Sequence, residues 1–187
     1  MTRPRGRPPR AKAPVSREAM LTAALKLLDT KGVKAFSMRT LAERLQVNPM
    51  TIYHHFGDRD GLISAMSDRV YAGVSAPASG SPRDRIEVLL RTYYARVLKH
   101  PGLTLLIFSR PAVFPEQAQR ITGEIARLLA ESGQTGQRAR LWLNILVDFT
   151  HGAAVATAMG ERSEGGEARS EREYRKALGE LLKGLTR

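Results

Sequence analysis

A chain of 187 residues is long enough for one compact domain, or for a small module joined to a larger one. Its 30 Lys and Arg outnumber its 18 Asp and Glu, and the formal net charge of +12 points to a polyanionic partner, with nucleic acid ahead of an anionic membrane surface. The absence of cysteine excludes disulfide scaffolds, thiol nucleophiles and thiolate metal sites, and it fits a reducing cytoplasm.

The positive charge is concentrated near the N-terminus, where residues 1–60 hold 12 of the Lys and Arg and five of the Asp and Glu. Residues 1–14 consist mostly of Pro, Arg, Gly, Ala and Lys, so we expect a disordered basic arm. No apolar run follows these charges, which disfavours a secretory signal.

Three helices are predicted after the arm. Ser16 is a candidate N-cap for the first, whose apolar residues recur at helical spacing until Gly32. Ser37 is the candidate N-cap of the second helix, and Asn48 followed by Pro49 opens the third. Two short helices joined by a few turn residues, with a supporting helix before them, predict a helix-turn-helix.

The third helix, NPMTIYHHF, has an inner and an outer face. Ile52 and Phe56 are four residues apart and are expected to pack inward against the preceding helix. The outer face, which would meet DNA, holds Pro49, Met50, Thr51, Tyr53 and His54, with His55 nearer the flank. His54 and His55 point about 100° apart on the helix, which disfavours a shared metal ion.

The rest of the chain is also predicted to be helical, so the expected fold class is all-α. A fourth helix from about residue 58 to 73 leads to a loop at 75–82, and further helical patterns follow. A long apolar helix from about 138 to 159 contains Asn144, Asp148 and His151, which favours a buried helix over a membrane span. Residues 160–170 are predicted to be a loop before the last helix.

The stretch from Ser37 to Met66, SMRTLAERLQVNPMTIYHHFGDRDGLISAM, resembles the DNA-binding domain of the tetracycline repressor (TetR) family. The resemblance implies a homodimeric transcriptional regulator, usually a repressor, that binds a palindromic operator in double-stranded DNA. It also implies an unknown small-molecule effector and no cofactor. The expected domains are a helix-turn-helix DNA-binding domain at 15–60 and a helical ligand-binding and dimerisation domain at 61–187.

The resemblance also assigns roles to residues in the DNA-binding domain. Arg39 falls where an arginine reads guanine, which suits the O6 and N7 acceptors of that base. Met50 and Tyr53 fall where side chains pack against bases. Pro49 stands where the resemblance implies a hydrogen-bonding side chain, so direct readout of a base at that position is doubtful. Positions of expected phosphate contact are Thr51, His54, His55 and Arg59, and Ser37 joins the DNA-contacting candidates.

The arm carries a second DNA-binding signal, because residues 4–8 read PRGRP and resemble the core of an AT-hook. Arg5 and Arg7 would then enter a narrow A/T minor groove, which is strongly negative. Alternatively, the arm only raises non-specific phosphate affinity.

Aromatic residues in the second domain could line a ligand pocket or form ordinary core. Asp148 and His151 share one helix face, where they could orient a ligand or satisfy each other. The ligand-binding candidates are Tyr93, Phe108, Trp142, Asp148, Phe149 and His151, with Phe114 and Met159 as further aromatic or apolar candidates.

The last two helices are predicted to form the dimer interface. In the family that the motif resembles, these helices build a four-helix interface, and the apolar stripe from Tyr174 to Leu185 would contribute to it. The alternative is that the long apolar helix is simply buried in a monomer.

Two other classes of function compete with a regulator. One is an architectural DNA-binding protein that acts through the basic arm and net charge. The other is an enzyme, which is disfavoured because the sequence has no metal-ligand spacing, nucleophile elbow or phosphate-binding glycine loop.

Overall fold

The computed structural model describes residues 14–110, 113–160 and 166–186, and these residues are almost entirely helical. The N-terminal helices are α1 (Arg17–Ala35), α2 (Met38–Leu45), α3 (Pro49–Phe56) and α4 (Arg59–Tyr71). The C-terminal helices are α5 (Pro82–Lys99), α6 (Pro101–Phe108), α7 (Glu116–Glu131), α8 (Gly136–Met159) and α9 (Gly166–Lys183), followed by a 3-10 turn at Gly184–Thr186. The predicted all-α class, with a helix-turn-helix before a helical domain, is confirmed.

The N-terminal helices begin at residues whose side chains satisfy free backbone N–H groups. Oγ of Ser16 accepts a hydrogen bond from the Ala19 amide at 3.1 Å, and Oδ1 of Asp58 accepts one from Gly61 at 2.7 Å. Ser37 forms a reciprocal pair with Thr40, in which each side chain accepts from the other residue's amide. The caps predicted at Ser16 and Ser37 are therefore confirmed.

Helix α1 is interrupted at Gly32, as the sequence predicts. The backbone of Gly32 has φ 76° and ψ 175°, which breaks the helical path, although one further turn continues to Ala35. Phe36 then extends the chain and buries its ring, so that α2 starts at an angle to α1.

The helix-turn-helix and the C-terminal domain are joined by packing as well as by the chain. Helix α1 contacts α6 over a broad surface, and α4 packs against α1, α6 and α7. Two polar contacts accompany this packing: Nδ1 of His100 lies 2.8 Å from Oδ2 of Asp29, and the guanidinium of Arg69 lies 3.0 Å from Glu18. Movements of α6 or α4 are thus transmitted directly to α1.

Most of the apolar stripe on α9 packs inside its own chain, and the prediction that the last two helices form a dimer interface stays a prediction. Tyr174, Leu178, Leu182 and Leu185 are at most 4% exposed. The hydroxyl of Tyr174 lies 2.8 Å from Thr150 Oγ1 on α8. The stripe packs against α5 and α8, and this packing removes its apolar surface from water.

Helix α8 keeps apolar side chains on its solvent side. Leu141 is 59% exposed and Met159 is 77% exposed, at the two ends of this helix. Gly152 lies between them, and a β-carbon there would meet no atom within 4 Å. The solvent side of α8 therefore carries exposed apolar side chains and an open glycine, together with the exposed polar residues Asn144 and Asp148.

The loop predicted at 160–170 is too long, because α9 already begins at Gly166. Residues 166–170 lack large apolar side chains and give no helical periodicity, but Glu, Ala and Arg favour helices intrinsically. An ion pair between Arg169 and Glu173, one turn apart at 2.9 Å, supports the first turns. Across the described helices, none combines the length and apolar character needed to cross a membrane.

Candidate nucleic-acid interface and ligand cavity

Local capping and burial determine the orientation of α3. Oδ1 of Asn48 accepts a hydrogen bond from the Met50 amide at 2.9 Å, and Pro49 occupies the first helical turn. Ile52 is fully buried and Phe56 is 8% exposed, so both face the core formed by the N-terminal helices. The opposite face of α3 is consequently directed to solvent.

The predicted base-contacting residues lie on this solvent face. Met50 is 67% exposed and Tyr53 is 39% exposed, although large apolar side chains are usually covered in a folded domain. Pro49 is also exposed, at the N-terminal end of the helix. Side chains that remain apolar and uncovered at the start of such a helix are suited to packing against bases.

The polar candidates of α3 surround this exposed apolar surface. His54 and His55 are exposed, whereas Thr51 is half-buried. The two imidazole rings meet edge to face, with centroids 5.8 Å apart. Among the described residues, no group of three or more His, Cys, Asp or Glu side chains is arranged to hold a metal ion.

Arg39 lies on the exposed side of α2, where Nε forms an ion pair with Glu43 Oε1 at 3.1 Å. The Arg39 side chain is 84% exposed in this pair. An exposed ion pair of this kind contributes little stability, so exchanging Glu43 for a nucleic-acid acceptor has a low energetic cost. Arg39 is therefore free to reach DNA.

Arg59 and Ser37 are more constrained than the other candidates. The guanidinium of Arg59 lies 5.8 Å from the centre of the Phe36 ring, and this residue is half-buried at the first turn of α4. Ser37 is also half-buried, and its hydroxyl accepts the hydrogen bond that caps α2. Packing on Phe36 fixes the direction of Arg59, whereas the cap limits what Ser37 can donate to a partner.

Sequence reasoning missed one basic residue beside the recognition helix. The guanidinium of Arg17 lies 5.1 Å from the centre of the Phe56 ring, so it stands at the C-terminal end of α3. Arg17 is at the start of α1, far from α3 in the sequence, and no helical period connects the two. Arg5 and Arg7, the two arginines of the AT-hook-like segment, lie outside the described residues.

The C-terminal domain contains a cavity of about 300 Å³ between α4, α5, α6, α7 and α8. Three predicted residues, Tyr93, Phe108 and His151, line it. The other lining residues are Tyr71, Thr104, Ile107, Val113, Phe114, Ala118, Ile121, Thr122 and Val147. The walls are mainly apolar and aromatic, which is typical of small-molecule sites.

A tyrosine and a histidine form the polar side of this cavity. The Tyr93 hydroxyl lies 2.5 Å from His151 Nε2, and the His151 ring also meets Phe108 edge to face at 4.8 Å. Burial lowers the pKa of His151 from 6.5 to about 4, although the negative charge of Asp148 acts in the opposite direction. The imidazole is therefore neutral at pH 7.

Three predicted ligand-binding residues do not line this cavity. Trp142 packs against Gly184, where a β-carbon would come within 2.9 Å of the indole. Phe149 stacks on Tyr174 at 5.5 Å, and Asp148 is exposed. The pair that the sequence suggested between Asp148 and His151 is replaced by the hydrogen bond from Tyr93.

Tyr71 and Thr104 belong to the cavity but were not predicted. Their side-chain oxygens lie 3.1 Å apart and join α4 to α6 at the cavity wall. Burial raises the pKa of Tyr71 to about 12, so its hydroxyl keeps its proton. Tyr71 is the last residue on the buried face of α4. Its position there was the one sequence feature that could have predicted its place in the cavity wall.

Comparisons with known proteins agree with this geometry. Residues 20–66 match the family model described as "Bacterial regulatory proteins, tetR family". An HTH-type transcriptional regulator from Saccharopolyspora erythraea is 32% identical over 65% of this chain. The chain spans 52% of that relative's length and 66% of the length of the regulator BetI from Rhizobium meliloti.

Solved structures share the fold over nearly the whole chain. ActR of Streptomyces coelicolor, a TetR family protein in complex with (S)-DNPA, has a TM-score of 0.70 at 22% identity. It covers 92% of this chain and 98% of its own. BioQ with its double-stranded DNA operator has a TM-score of 0.69 at 23% identity and covers 91% of this chain and 98% of its own. Residues 20–66 therefore match the model of the tetR family of bacterial regulatory proteins, and the solved structures share the helical fold of nearly the whole chain.

Proposed function

We propose that the protein is a transcriptional repressor that binds a palindromic operator as a homodimer and is released when a small molecule occupies the cavity of the C-terminal domain. The proposed domains are a basic arm at 1–14, the DNA-binding domain at 15–60 and the ligand-binding and dimerisation domain at 61–187. No catalytic activity is part of the proposal. A protein of this kind acts on the chromosome, so we expect it in the cytoplasm.

The exposed face of α3 is the observation that carries the DNA-binding proposal. Met50 and Tyr53 are solvent-directed on a helix whose other face is buried through Ile52 and Phe56. Arg39 stands on the neighbouring helix in a weak surface pair. This combination supplies an apolar surface for bases and an arginine for guanine, with basic side chains nearby for phosphates.

The free face of α8 supports a dimer. Exposed Leu141 and Met159 lie at the two ends of a helix side on which Gly152 would let a second subunit approach closely. In a twofold dimer, two copies of α3 can enter successive major grooves about 34 Å apart. A ligand that prefers a different spacing of the two helices would then release the operator.

The position of the cavity supports control by a ligand. Tyr71 and Thr104 in its wall join α4 to α6, and both helices contact α1 of the DNA-binding domain. The relatives agree with this combination, because BioQ has been solved with its operator and ActR with a small molecule. A molecule that separates Tyr71 from Thr104 would displace α1 and therefore α3.

An architectural, weakly specific DNA-binding protein is the alternative, favoured by the basic arm at residues 1–14. A selection of bound sequences from random double-stranded DNA separates the two. We expect the full chain and a variant without residues 1–14 to enrich the same palindrome. Enrichment of no common sequence, or loss of nearly all binding without the arm, would overturn the repressor proposal.

A matched pair of variants tests the role of α2 in the same selection. Arg39→Ala should broaden the enriched sequences, because the arginine reads a base edge. Glu43→Gln removes only the intramolecular partner and should leave the palindrome unchanged. An unaltered palindrome with Arg39→Ala would sink the assignment of that residue.

A further inference from the structure

The wall of the cavity contains several polar side chains, and all but one are satisfied inside the protein. Tyr71 and Thr104 pair with each other, and the Thr122 hydroxyl donates to the backbone oxygen of Ala118 at 2.9 Å. Nδ1 of His151 is buried and has no hydrogen-bond partner within the part of the chain that the structure describes. Unpaired buried polar atoms are uncommon in folded proteins, so the missing partner of this nitrogen suggests that a ligand atom binds it.

The hydrogen bond with Tyr93 fixes which His151 nitrogen carries the proton. The buried Tyr93 hydroxyl keeps its own proton, because burial raises its pKa, and His151 Nε2 is the acceptor within reach at 2.5 Å. If Nε2 carried the hydrogen instead, both the tyrosine hydrogen and Nδ1 would lack partners. When Tyr93 donates to Nε2, only one group lacks a hydrogen-bond partner, and this group is the N–H at Nδ1 of His151.

The charge of the cavity excludes strongly charged ligands. The described lining residues include no Lys, Arg, Asp or Glu, and His151 is neutral at pH 7. A carboxylate or phosphate would lose its hydration without a cation to replace it, and an ammonium would meet the positive end of the Nδ1–H dipole. The ligand is therefore uncharged in its buried part.

The size and walls of the cavity indicate the shape of the ligand. A volume of about 300 Å³ lies at the lower end of the range for small-molecule sites, roughly 300–1,000 Å³. The rings of Tyr71 and Tyr93 contact each other at a tilt, with centroids 5.3 Å apart. Phe108 and Phe114 line the cavity and are each 54% exposed, so they form its solvent-facing edge. Aromatic side chains on several sides suit flat rings, which stack or meet them edge to face.

We infer that the effector is a compact, uncharged, flat ring compound whose carbonyl or ether oxygen accepts a hydrogen bond from Nδ1–H of His151. This inference rests on the proposed function, since it specifies the chemistry of the same ligand cavity. Tyr93 acts as a positioning residue, because it holds the histidine in the tautomer that donates to the ligand. Phe108 packs against the imidazole in an edge-to-face contact and limits its rotation.

Four probes of similar size test this chemistry by calorimetry at pH 7.5 on the full chain. The probe 1-tetralone carries a ketone oxygen and tetralin is the same bicycle without it, whereas 1-naphthoate is an anion and phenyltrimethylammonium a cation. We expect 1-tetralone to bind about tenfold tighter than tetralin, as one hydrogen bond to a buried orphan donor requires. Both charged probes should bind more weakly than 1-tetralone.

Two variants and one spectroscopic measurement localise the effect. His151→Phe should bind 1-tetralone and tetralin equally, whereas the exposed control Asp148→Asn should keep the tenfold preference. In the wild-type protein labelled with ¹⁵N, the Nδ1–H signal of His151 should move with 1-tetralone and not with tetralin. This last result does not depend on how well the His151 variant folds.

Three outcomes would overturn the inference: equal affinity of the wild-type protein for 1-tetralone and tetralin, tighter binding of either charged probe, or binding of no probe. None of them contradicts the repressor proposal, which the DNA selection tests without any ligand. If the DNA selection enriches a palindrome but 1-tetralone and tetralin bind equally well, the repressor proposal stands and this ligand class is wrong. If no palindrome is enriched but 1-tetralone binds tenfold tighter than tetralin, the ligand chemistry stands and the repressor proposal is wrong.

Discussion

Gly102 on α6 lies against Leu28 on α1 so closely that a β-carbon on the glycine would stand 3.0 Å from Leu28 Cγ and 3.1 Å from its carbonyl oxygen. Contacts of this length are tighter than ordinary van der Waals contacts, so a methyl group fits only if Leu28 or one of the two helices shifts. The pair lies where the C-terminal domain meets the first helix of the DNA-binding domain. Close packing at this point makes α1 and α6 move together.

Gly102→Ala should therefore force α6 away from α1. The Leu28 side chain can shift, but its carbonyl group belongs to the helix backbone and cannot move alone. We expect a loss of about 1–3 kcal/mol in the free energy of unfolding, the usual cost of overpacking. Chemical denaturation measures it, with Gly123→Ala on α7 as the control.

The Gly123 control should behave in the opposite way. A β-carbon at Gly123 meets no atom within 4 Å, so alanine there gains helix propensity of up to about 1 kcal/mol without a clash. Equal effects of the two substitutions would mean that the α1–α6 contact is not tightly packed.

Gly61→Ala should disturb the junction between α3 and α4. A β-carbon at Gly61 would stand 2.0 Å from the carbonyl oxygen of Phe56, and backbone on both sides prevents relief by side-chain rotation. We expect a loss of about 3 kcal/mol or more in the free energy of unfolding, at the upper end of overpacking effects. Affinity for all DNA sequences should fall as well, because α3 must move relative to α4. Unchanged stability would show that the junction is looser than its geometry indicates.

Arg59→Ala should weaken DNA binding without changing which sequence is preferred. The residue is expected to contact a phosphate, so its loss reduces the slope of log affinity against log salt concentration by about 1. The guanidinium also packs on Phe36, and its removal should lower stability by about 0.5–1 kcal/mol. Titrations at several salt concentrations measure the slope. A changed sequence preference would assign Arg59 to a base instead.

Gly152→Arg should prevent dimer formation through α8. Gly152 is exposed in the single chain with open space around it, so arginine there is tolerated by the fold but would block a close partner helix. Sedimentation should show a monomer with unchanged helix content and weaker operator binding. Gly123→Arg, an equally open helical glycine on α7, is the control and should stay dimeric. A dimer with Gly152→Arg would move the interface elsewhere.

Local chemistry made the DNA-binding domain predictable from the sequence. Asn48 before Pro49 defines the start of α3 through one side-chain hydrogen bond and a fixed φ, and both depend on neighbouring residues alone. The burial of Ile52 and Phe56 follows from their spacing of four on a short amphipathic helix. A motif held by local caps and one packing face needs little information from distant residues.

The C-terminal domain was harder to predict because α6 and α8 are apolar on several faces. Helical spacing shows that His151 and Trp142 are on one long helix but does not show which neighbouring helix covers each of them. In the structure, His151 faces Tyr93 and the cavity, whereas Trp142 packs against the end of the chain at Gly184. The choice depends on the arrangement of α5, α7 and α9 around α8, which no local pattern encodes.

His151 should make the protein less stable in mild acid. Its pKa is about 4 in the folded protein and 6.5 when unfolded, because the buried imidazole resists protonation. Between these values the unfolded chain binds one more proton than the folded chain, so the free energy of unfolding falls as pH decreases from about 6.5 to 4. The full loss is about 3 kcal/mol, and the contribution is complete above pH 6.5.

Chemical denaturation of the wild-type protein and of His151→Phe at several pH values measures the contribution of His151. Both proteins contain the same carboxylates, so the contribution of these groups cancels in the difference. The difference in unfolding free energy between the two proteins should shift by about 3 kcal/mol in favour of the variant as pH decreases from 7 to 4. A difference between wild type and His151→Phe that stays constant across this range would show that His151 takes up its proton equally in both states, and would contradict its burial beside Tyr93.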